Sequence, residues 1–118
     1  MQTILIVDDH AEFRIRTRAL LEAEGYAVIG DAPDGVSGID AAHALWPDIV
    51  LLDIGLPDID GFEVARQLRA HGRAPTIVLI STRPATEYGP QVMDSGAAGF
   101  IAKEDLSGSA IRALMRGT

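Results

Sequence analysis

The sequence has no cysteine, no long apolar run and few basic residues, and each shortage excludes a class of protein. Without cysteine the chain can form neither a disulfide framework nor a thiolate metal site. No apolar stretch reaches membrane-spanning length, and the N-terminal MQTILIVDDH turns acidic too early for a signal peptide, so we expect a cytoplasmic protein with no membrane contact. Ten Lys and Arg against 17 Asp and Glu leave a formal net charge of −7, which argues against sequence-independent DNA binding by these residues themselves.

The chain of 118 residues is long enough to bury a core, and 47% of it is hydrophobic. No repeat, low-complexity tract or linker divides it, so we expect one domain over residues 1–118. Five short runs rich in Ile, Val and Leu do not alternate with polar residues, which is typical of parallel strands covered on both faces. These predicted strands are Thr3–Val7, Ala27–Gly30, Ile49–Leu52, Thr76–Ile80 and Gly99–Ala102.

Segments with helical spacing lie between these runs, and they indicate an α/β fold with helices on both faces of a parallel sheet. Four helices are predicted from apolar faces, caps and stops. They carry Phe13, Thr17, Leu20 and Leu21 before a stop at Gly25; Val36, Ile39 and His43; Phe62, Ala65 and Leu68 between an N-cap at Asp60 and an end at Gly72; and Leu106–Met115, with Ser107 or Asp105 near its start.

The segment STRPATEYGPQVMDSG, residues 81–96, fits a helix poorly. Pro84, Gly89 and Pro90 all disfavour a helix interior, although proline is well suited to the first helical position. We therefore expect a longer loop here, followed by a short fourth helix over about Pro90–Ser95.

Polar side chains follow the predicted strands at the point where each strand ends, with Asp31 after the second strand. Asp8 and Asp9 follow the first strand, Asp53 the third, Ser81 the fourth and Lys103 the fifth. In an open parallel sheet, ligands bind beyond the carboxyl ends of the strands. If the first, third, fourth and fifth strands are neighbours, one cleft holds three carboxylates, a hydroxyl and an ammonium.

Three crowded carboxylates repel one another unless a cation is present, and oxygen ligands favour Mg²⁺. The Gly55 backbone carbonyl is a further candidate ligand beside Asp8, Asp9 and Asp53. A hydroxyl and an ammonium beside such a centre form a receptor for a tetrahedral oxyanion. Asp53 is then the candidate nucleophile for phosphoryl transfer, with the metal and Lys103 offsetting charge on the phosphoryl oxygens.

Four segments together carry a specific family signature: ILIVDDH, LLDIGLPDIDG, LISTR and GAAGFIAK. Over its whole length the chain resembles the receiver domain of bacterial two-component response regulators. Its last residues, GFIAKEDLSGSAIRALMRG, are most similar to the LuxR/NarL-type subfamily. The resemblance implies a flavodoxin-like (βα)5 three-layer sandwich with strand order 2-1-3-4-5. It also implies a single receiver domain that forms the N-terminal part of a longer regulator with a helix-turn-helix output domain.

The resemblance further implies a role for each matching residue. Asp53 would accept a phosphoryl group from the phosphohistidine of a sensor histidine kinase, with Asp9 binding Mg²⁺ directly and Asp8 mainly through water. Asp53, Lys103 and Ser81 would carry the chemistry, and Ser81 with Phe100 would form the switch pair. The switch would change the surface of the fourth helix, fifth strand and fifth helix, which governs homodimerisation or output. DNA would be reached only through a separate output domain. The chain would be a phosphoacceptor with self-catalysed phosphorylation and dephosphorylation, and not a dedicated enzyme.

Two alternatives come from other classes of protein. A phosphatase of the haloacid-dehalogenase type also uses an Asp nucleophile with Mg²⁺, but that class has a D-x-D pair after its first strand, and here Asp53 follows the third strand with Gly55 two residues on. A receiver-like interaction module regulated without phosphorylation is favoured by the irregular segment 81–96. The presence of all the acidic residues and of Lys103 argues against it.

Other conspicuous residues are interpreted as structural or exposed. The histidines at positions 10, 43 and 71 show no mutual spacing typical of a metal site. We interpret Trp46 as partly buried packing, and Arg83 and Tyr88 as loop residues.

Overall fold

The computed structural model describes residues 1–116, and a sheet of five parallel strands forms its centre. The strands are β1 (Thr3–Val7), β2 (Ala27–Ala32), β3 (Ile49–Asp53), β4 (Thr76–Ser81) and β5 (Gly99–Ala102). Their order is β2-β1-β3-β4-β5, which confirms the predicted flavodoxin-like topology. Three strands run one or two residues past their predicted ends, because the ladder continues through the pairs Val7–Ala32, Asp53–Ile80 and Ser81–Ala102.

Helices cover both faces of the sheet and complete three layers. They are α1 (Ala11–Ala23), α2 (Gly35–Leu45), α3 (Gly61–Arg69), α4 (Gln91–Asp94) and α5 (Gly108–Arg116), with 3-10 turns at Ala85–Tyr88 and Lys103–Asp105. The core between the sheet and α1 and α5 is separate from the core on the α2, α3 and α4 side. The predicted fourth helix exists and is one residue shorter than expected at each end, because Pro90 and Ser95 are its caps.

Two other helix boundaries differ from the prediction by two or more residues. Helix α3 ends at Arg69, three residues before Gly72, where the N–H of Ala70 bonds back to helix carbonyls. Helix α5 begins at Gly108, because Leu106 is extended and Ser107 caps the helix by accepting a hydrogen bond from the Ala110 N–H at 3.0 Å. The stop predicted at Gly25 is confirmed, and this glycine has a φ of 96°.

The apolar face predicted for α2 is wrong at Val36, which is 56% exposed, and at His43, which is exposed as well, whereas Ile39 packs partly buried against the core. The helix instead buries small residues, which are Gly35, Gly38 and Ala42. A Cβ at Gly38 would lie 2.7 Å from Cγ1 of Val7, so the absence of a side chain lets α2 approach β1 closely. Leu20 of α1, predicted on a core face, is also exposed.

Trp46 is 60% exposed, so its interpretation as partly buried packing is wrong. Trp46 is the C-cap of α2 and has a φ of 53°. It precedes Pro47, and the right-handed helical conformation is disfavoured for a residue before proline. The guanidinium of Arg73 lies 4.9 Å from the Trp46 ring centroid. His43 and His71 are exposed as predicted, but the fold brings their ring centroids to 4.3 Å.

The loop between β3 and α3 is tied to the sheet by short backbone contacts. The Ile54 N–H donates to the Ile80 carbonyl at 3.1 Å, and the Gly61 N–H donates to the Ile54 carbonyl at 2.9 Å. A Cβ at Gly61 would lie 2.6 Å from the carbonyl oxygen of Asp53 and 2.8 Å from Cα of Ile54. Only glycine therefore fits at this position without moving the end of β3.

We predict that Gly61→Ala lowers the free energy of unfolding by roughly 1–3 kcal/mol, because the added methyl group meets backbone that cannot give way cheaply. Gly72→Ala is the matched control, since no atom lies within 4 Å of a Cβ there and its φ is not positive. That variant should change stability by less than about 0.5 kcal/mol. Urea unfolding of both variants measures the difference, and equal losses would contradict the steric explanation.

Candidate functional site

The carboxyl edge of the sheet collects buried polar side chains. Within residues 1–116 the buried polar or charged residues are Asp8, Thr17, Asp53 and Ser81, and three of these four stand at strand ends on this edge. Strand order explains the arrangement, because β3 lies between β1 and β4. Asp53 ends β3, Asp8 directly follows the neighbouring β1, and Ser81 ends the neighbouring β4.

Lys103 follows β5 and reaches across to the carboxylates. Its Nζ lies 2.5 Å from Oδ2 of Asp8 and 3.4 Å from Oδ2 of Asp53. The ammonium also lies 4.5 Å from the ring centroid of Phe13, and the side chain is only 10% exposed. A nearly buried ammonium therefore partly neutralises two buried carboxylates, as the sequence predicted for the pairing of Lys103 with Asp53.

Asp53 is held by one backbone donor and by Lys103. Its Oδ1 accepts a hydrogen bond from the Gly55 N–H at 3.1 Å. Burial raises the pKa of Asp53 above its usual value near 3.8, and the Asp8 charge adds to this, while the Gly55 N–H and the Lys103 ammonium oppose it. The ionised form of Asp53 is therefore less favourable here than in water.

The two oxygens of Asp8 have different partners. Its Oδ1 accepts from the His10 N–H at 2.8 Å. Its Oδ2 is buried and accepts no hydrogen bond of good geometry, although Lys103 Nζ is only 2.5 Å away as an ion-pair partner. A buried carboxylate oxygen in this condition suits a cation as an additional partner.

The arrangement of charged groups suits a divalent cation. One potential ligand atom from each of Asp8, Asp9, His10 and Asp53 lies within 4.8 Å of the others. Three carboxylates beside one ammonium leave two negative charges, which a divalent ion would balance. The acidic oxygens fit a hard ion such as Mg²⁺.

His10 was predicted to be structural or exposed, and it is exposed. Its position next to the acidic residues was missed, since Nδ1 lies 3.1 Å from Oδ1 of Asp9 and 3.3 Å from Oδ1 of Asp8. The sequence did contain a signal for this contact, because His10 directly follows the Asp8–Asp9 pair.

Gly55 leaves the Asp53 carboxylate open on one side. The residue is exposed, and a Cβ there would lie 3.9 Å from Oδ1 of Asp53 with no other atom within 4 Å. The Gly55 carbonyl predicted as a metal ligand thus belongs to a residue beside the acidic cluster, and any larger side chain at this position would lie against Asp53.

Ser81 and Phe100, the predicted switch pair, are linked through a residue that was read as part of a loop. Ser81 Oγ lies 2.6 Å from Oη of Tyr88 and accepts from the Arg83 N–H at 3.0 Å. The Tyr88 ring lies 6.3 Å from the half-buried Phe100 and 5.7 Å from Phe62, measured between centroids. Tyr88 was missed because its segment has no helical period from which a buried face could be read.

No helix within residues 1–116 is long and apolar enough to cross a bilayer.

Comparison with known proteins gives consistent matches. A family model described as the response regulator receiver domain matches residues 4–114. The chain is 37% identical over 102 residues to the transcription regulator BvgA of Bordetella pertussis. That alignment covers 86% of this chain and 49% of BvgA, so the chain spans about half the length of this curated relative.

Two solved structures have the same fold at higher coverage. The receiver domain of the response regulator NarL from Mycobacterium tuberculosis has a TM-score of 0.85 and 31% identity, covering 98% of this chain and 94% of that chain. A two-component response regulator of the LuxR family from Aurantimonas sp. SI85-9A1 has a TM-score of 0.88 and 30% identity, covering 99% and 86%. The similarity to LuxR/NarL-type regulators predicted from the sequence is confirmed.

We predict that Asp53→Asn increases the free energy of unfolding at pH 7 by roughly 1 kcal/mol in buffer with a metal chelator, because it removes a buried charge. The pKa of Asp53 is raised in the folded state, so ionisation destabilises the wild type above that pKa and the penalty disappears as pH falls toward 3.8. The gain in the free energy of unfolding of Asp53→Asn over the wild type should therefore shrink as the pH falls toward 3.8. Urea unfolding at several pH values measures it.

The matched control is Asp40→Asn on the exposed side of α2, which should leave stability nearly unchanged. A loss of stability in Asp53→Asn at pH 7 would show instead that the Asp53 carboxylate is a net stabilising partner of Lys103.

Proposed function

Because the chain belongs to the response regulator receiver domain family, we propose that it is a phospho-accepting signalling domain in which Asp53 takes a phosphoryl group from the phosphohistidine of a sensor histidine kinase. The observation that carries this proposal is the pairing of one ammonium with two buried carboxylates at the end of β3. Lys103 Nζ lies 3.4 Å from Oδ2 of Asp53, close enough to interact with a group attached to that carboxylate.

The proposed step is an in-line transfer. A carboxylate oxygen of Asp53 attacks the phosphorus atom, the P–O bond forms, and the P–N bond of the phosphohistidine breaks. The electron pair of that bond goes to the imidazole nitrogen of the donor, and the product on Asp53 is an acyl phosphate. Water later attacks the acyl phosphate, releases inorganic phosphate and restores the carboxylate.

The residues around Asp53 have separate tasks in this proposal. The Lys103 ammonium stabilises the negative charge on the Asp53 carboxylate and then the charge on the phosphoryl oxygens. It can do both because it already lies between Asp8 and Asp53. The open position at Gly55 admits the donor and later the hydrolytic water.

Asp8, Asp9 and Asp53, with the Gly55 carbonyl, would hold Mg²⁺. Bound there, the ion would supply positive charge that offsets the phosphoryl oxygens. The two negative charges that Lys103 leaves uncompensated in this cluster support the assignment.

We further propose that phosphorylation moves Ser81 toward the phosphoryl group and Phe100 into the space that it leaves. The change would reach the surface of α4, β5 and α5 and control homodimerisation or output. The chain would be the receiver part of a cytoplasmic transcription regulator whose DNA-binding domain lies outside residues 1–118. Its self-catalysed phosphorylation and dephosphorylation would serve signalling rather than turnover of a substrate.

We predict that wild-type protein gains one phosphoryl group from a small phosphoramidate donor only when Mg²⁺ is present. Asp53→Ala should gain none, because it lacks the nucleophile, while Asp40→Asn should behave like the wild type. Intact-mass spectrometry measures the gain. If folded, Mg²⁺-binding wild type is not modified, the proposal fails, and the alternative of an interaction module regulated without phosphorylation is favoured.

We predict that Lys103→Met lowers the phosphorylation rate at least about tenfold, because the variant loses a charge that acts on the transferring group. Methionine keeps an apolar chain against Phe13, so the fold should survive. Mg²⁺ affinity should be unchanged or higher, since the ammonium no longer competes for Asp8 and Asp53. Intact mass over time and a Mg²⁺ titration measure the two effects, and parallel loss of both would indicate a general structural role.

A further inference from the structure

Tyr88 holds the Ser81 hydroxyl in the arrangement that the structure shows. Ser81 is 3% exposed, and its Oγ lies 2.6 Å from Oη of Tyr88. The same oxygen accepts a hydrogen bond from the backbone N–H of Arg83 at 3.0 Å. Among the hydrogen bonds of residues 1–116, none joins the Ser81 side chain to Asp53. The hydroxyl is thus bound to the loop that follows β4 and not to the acidic cluster.

Packing against two aromatic rings holds the Tyr88 side chain in position. The Tyr88 ring packs against Phe62 of α3 at 5.7 Å with an interplanar angle of 70°, and it lies 6.3 Å from Phe100 of β5. These neighbours fix the ring in the core between the sheet and α3, so its hydroxyl is held in place. Whichever hydroxyl donates, the bond exists only while Ser81 Oγ stays at this position.

We propose that Tyr88 is a positioning residue that restrains Ser81 in the unphosphorylated domain and releases it when Asp53 carries a phosphoryl group. This inference rests on the proposed function, because Ser81 must approach the phosphoryl oxygens for the restraint to matter. The hydrogen bond to Tyr88 stabilises the resting state alone, and the phosphorylated state is therefore disfavoured by its loss.

The position of Tyr88 in the chain gives this release a route to the surface. Tyr88 is the last residue of the 3-10 turn, and α4 begins at Gln91 after Gly89, whose φ is 61°. When the hydroxyl loses its partner, the ring keeps apolar packing, such as that against Phe62, but no longer has this hydrogen bond to β4. The turn that leads into α4 is then less tightly tied to the end of β4.

The test removes only the Tyr88 hydroxyl. Tyr88→Phe keeps the ring and its packing, so the folded state should persist, as circular dichroism can verify. We expect the Mg²⁺-loaded variant to bind beryllofluoride, a mimic of the aspartyl phosphoryl group, and to be phosphorylated by a phosphoramidate about three- to tenfold more favourably than wild type, the scale of one hydrogen bond. Calorimetry and intact mass over time measure the two quantities.

Tyr26→Phe is the matched control. Tyr26 is buried, and its hydroxyl bonds to the Gly108 carbonyl at 3.4 Å, on the opposite face of the sheet. Removal of this hydroxyl should leave beryllofluoride affinity and phosphorylation rate as in the wild type. A gain equal to that of Tyr88→Phe would show that any lost tyrosine hydroxyl has this effect, and it would overturn the assignment.

Ser81→Ala completes a double-mutant cycle. If Tyr88 acts through Ser81, Tyr88→Phe should have no effect on beryllofluoride affinity in the Ser81→Ala background. A gain that persists there, or no gain in Tyr88→Phe alone, would overturn the proposal. Failure of the proposed function is distinguishable, because then wild type itself would take no phosphoryl group and bind no beryllofluoride, and the role of Tyr88 would fall with it.

Discussion

Two carboxylates lie side by side out of water at the edge of the sheet, and a single ammonium holds them there. Asp8 and Asp53 are both buried, and Lys103 contacts one at 2.5 Å and the other at 3.4 Å. Burial raises the pKa of Asp53, the neighbouring Asp8 charge adds to this, and one positive charge cannot balance two negative charges. The ion pairs with Lys103 partly offset the cost of burying the carboxylates, and a divalent cation would balance the negative charge that is left.

The scaffold makes this arrangement possible by spreading it over strands that are far apart in sequence. Asp8 follows β1, Asp53 ends β3 and Lys103 follows β5. The strand order brings the three side chains to one edge of the sheet. Close backbone packing then keeps the edge rigid, since Gly61 leaves no room for a side chain against the end of β3. A cluster of like charges would otherwise relax outward into water, where each carboxylate is more favourably solvated.

The strand ends were predictable from the sequence because apolar runs and parallel-sheet topology are strong constraints, and they placed Asp8, Asp53 and Lys103 correctly. Features that leave no periodic pattern in the sequence were not predictable. The buried face of α2 consists of Gly38 and other small residues, which no hydrophobicity pattern marks. Tyr88 lies in a segment broken by proline and glycine, and its partner Ser81 is seven residues away along an irregular path. Such contacts depend on how a loop folds back, which local sequence does not encode.

The ionic contacts and the hydrogen bonds of Ser81 lie in different parts of the molecule. The ionic contacts join β1, β3 and β5, whereas the Ser81 hydroxyl is bound to the turn that follows β4. In the proposed function, a change at the acidic cluster would reach that turn through Ser81, which would exchange hydrogen-bond partners in the loop for the phosphoryl group. By this route, the coupling free energy equals the difference in free energy between the two sets of Ser81 partners. Substitutions in the loop can accordingly tune the response while leaving the acidic cluster intact.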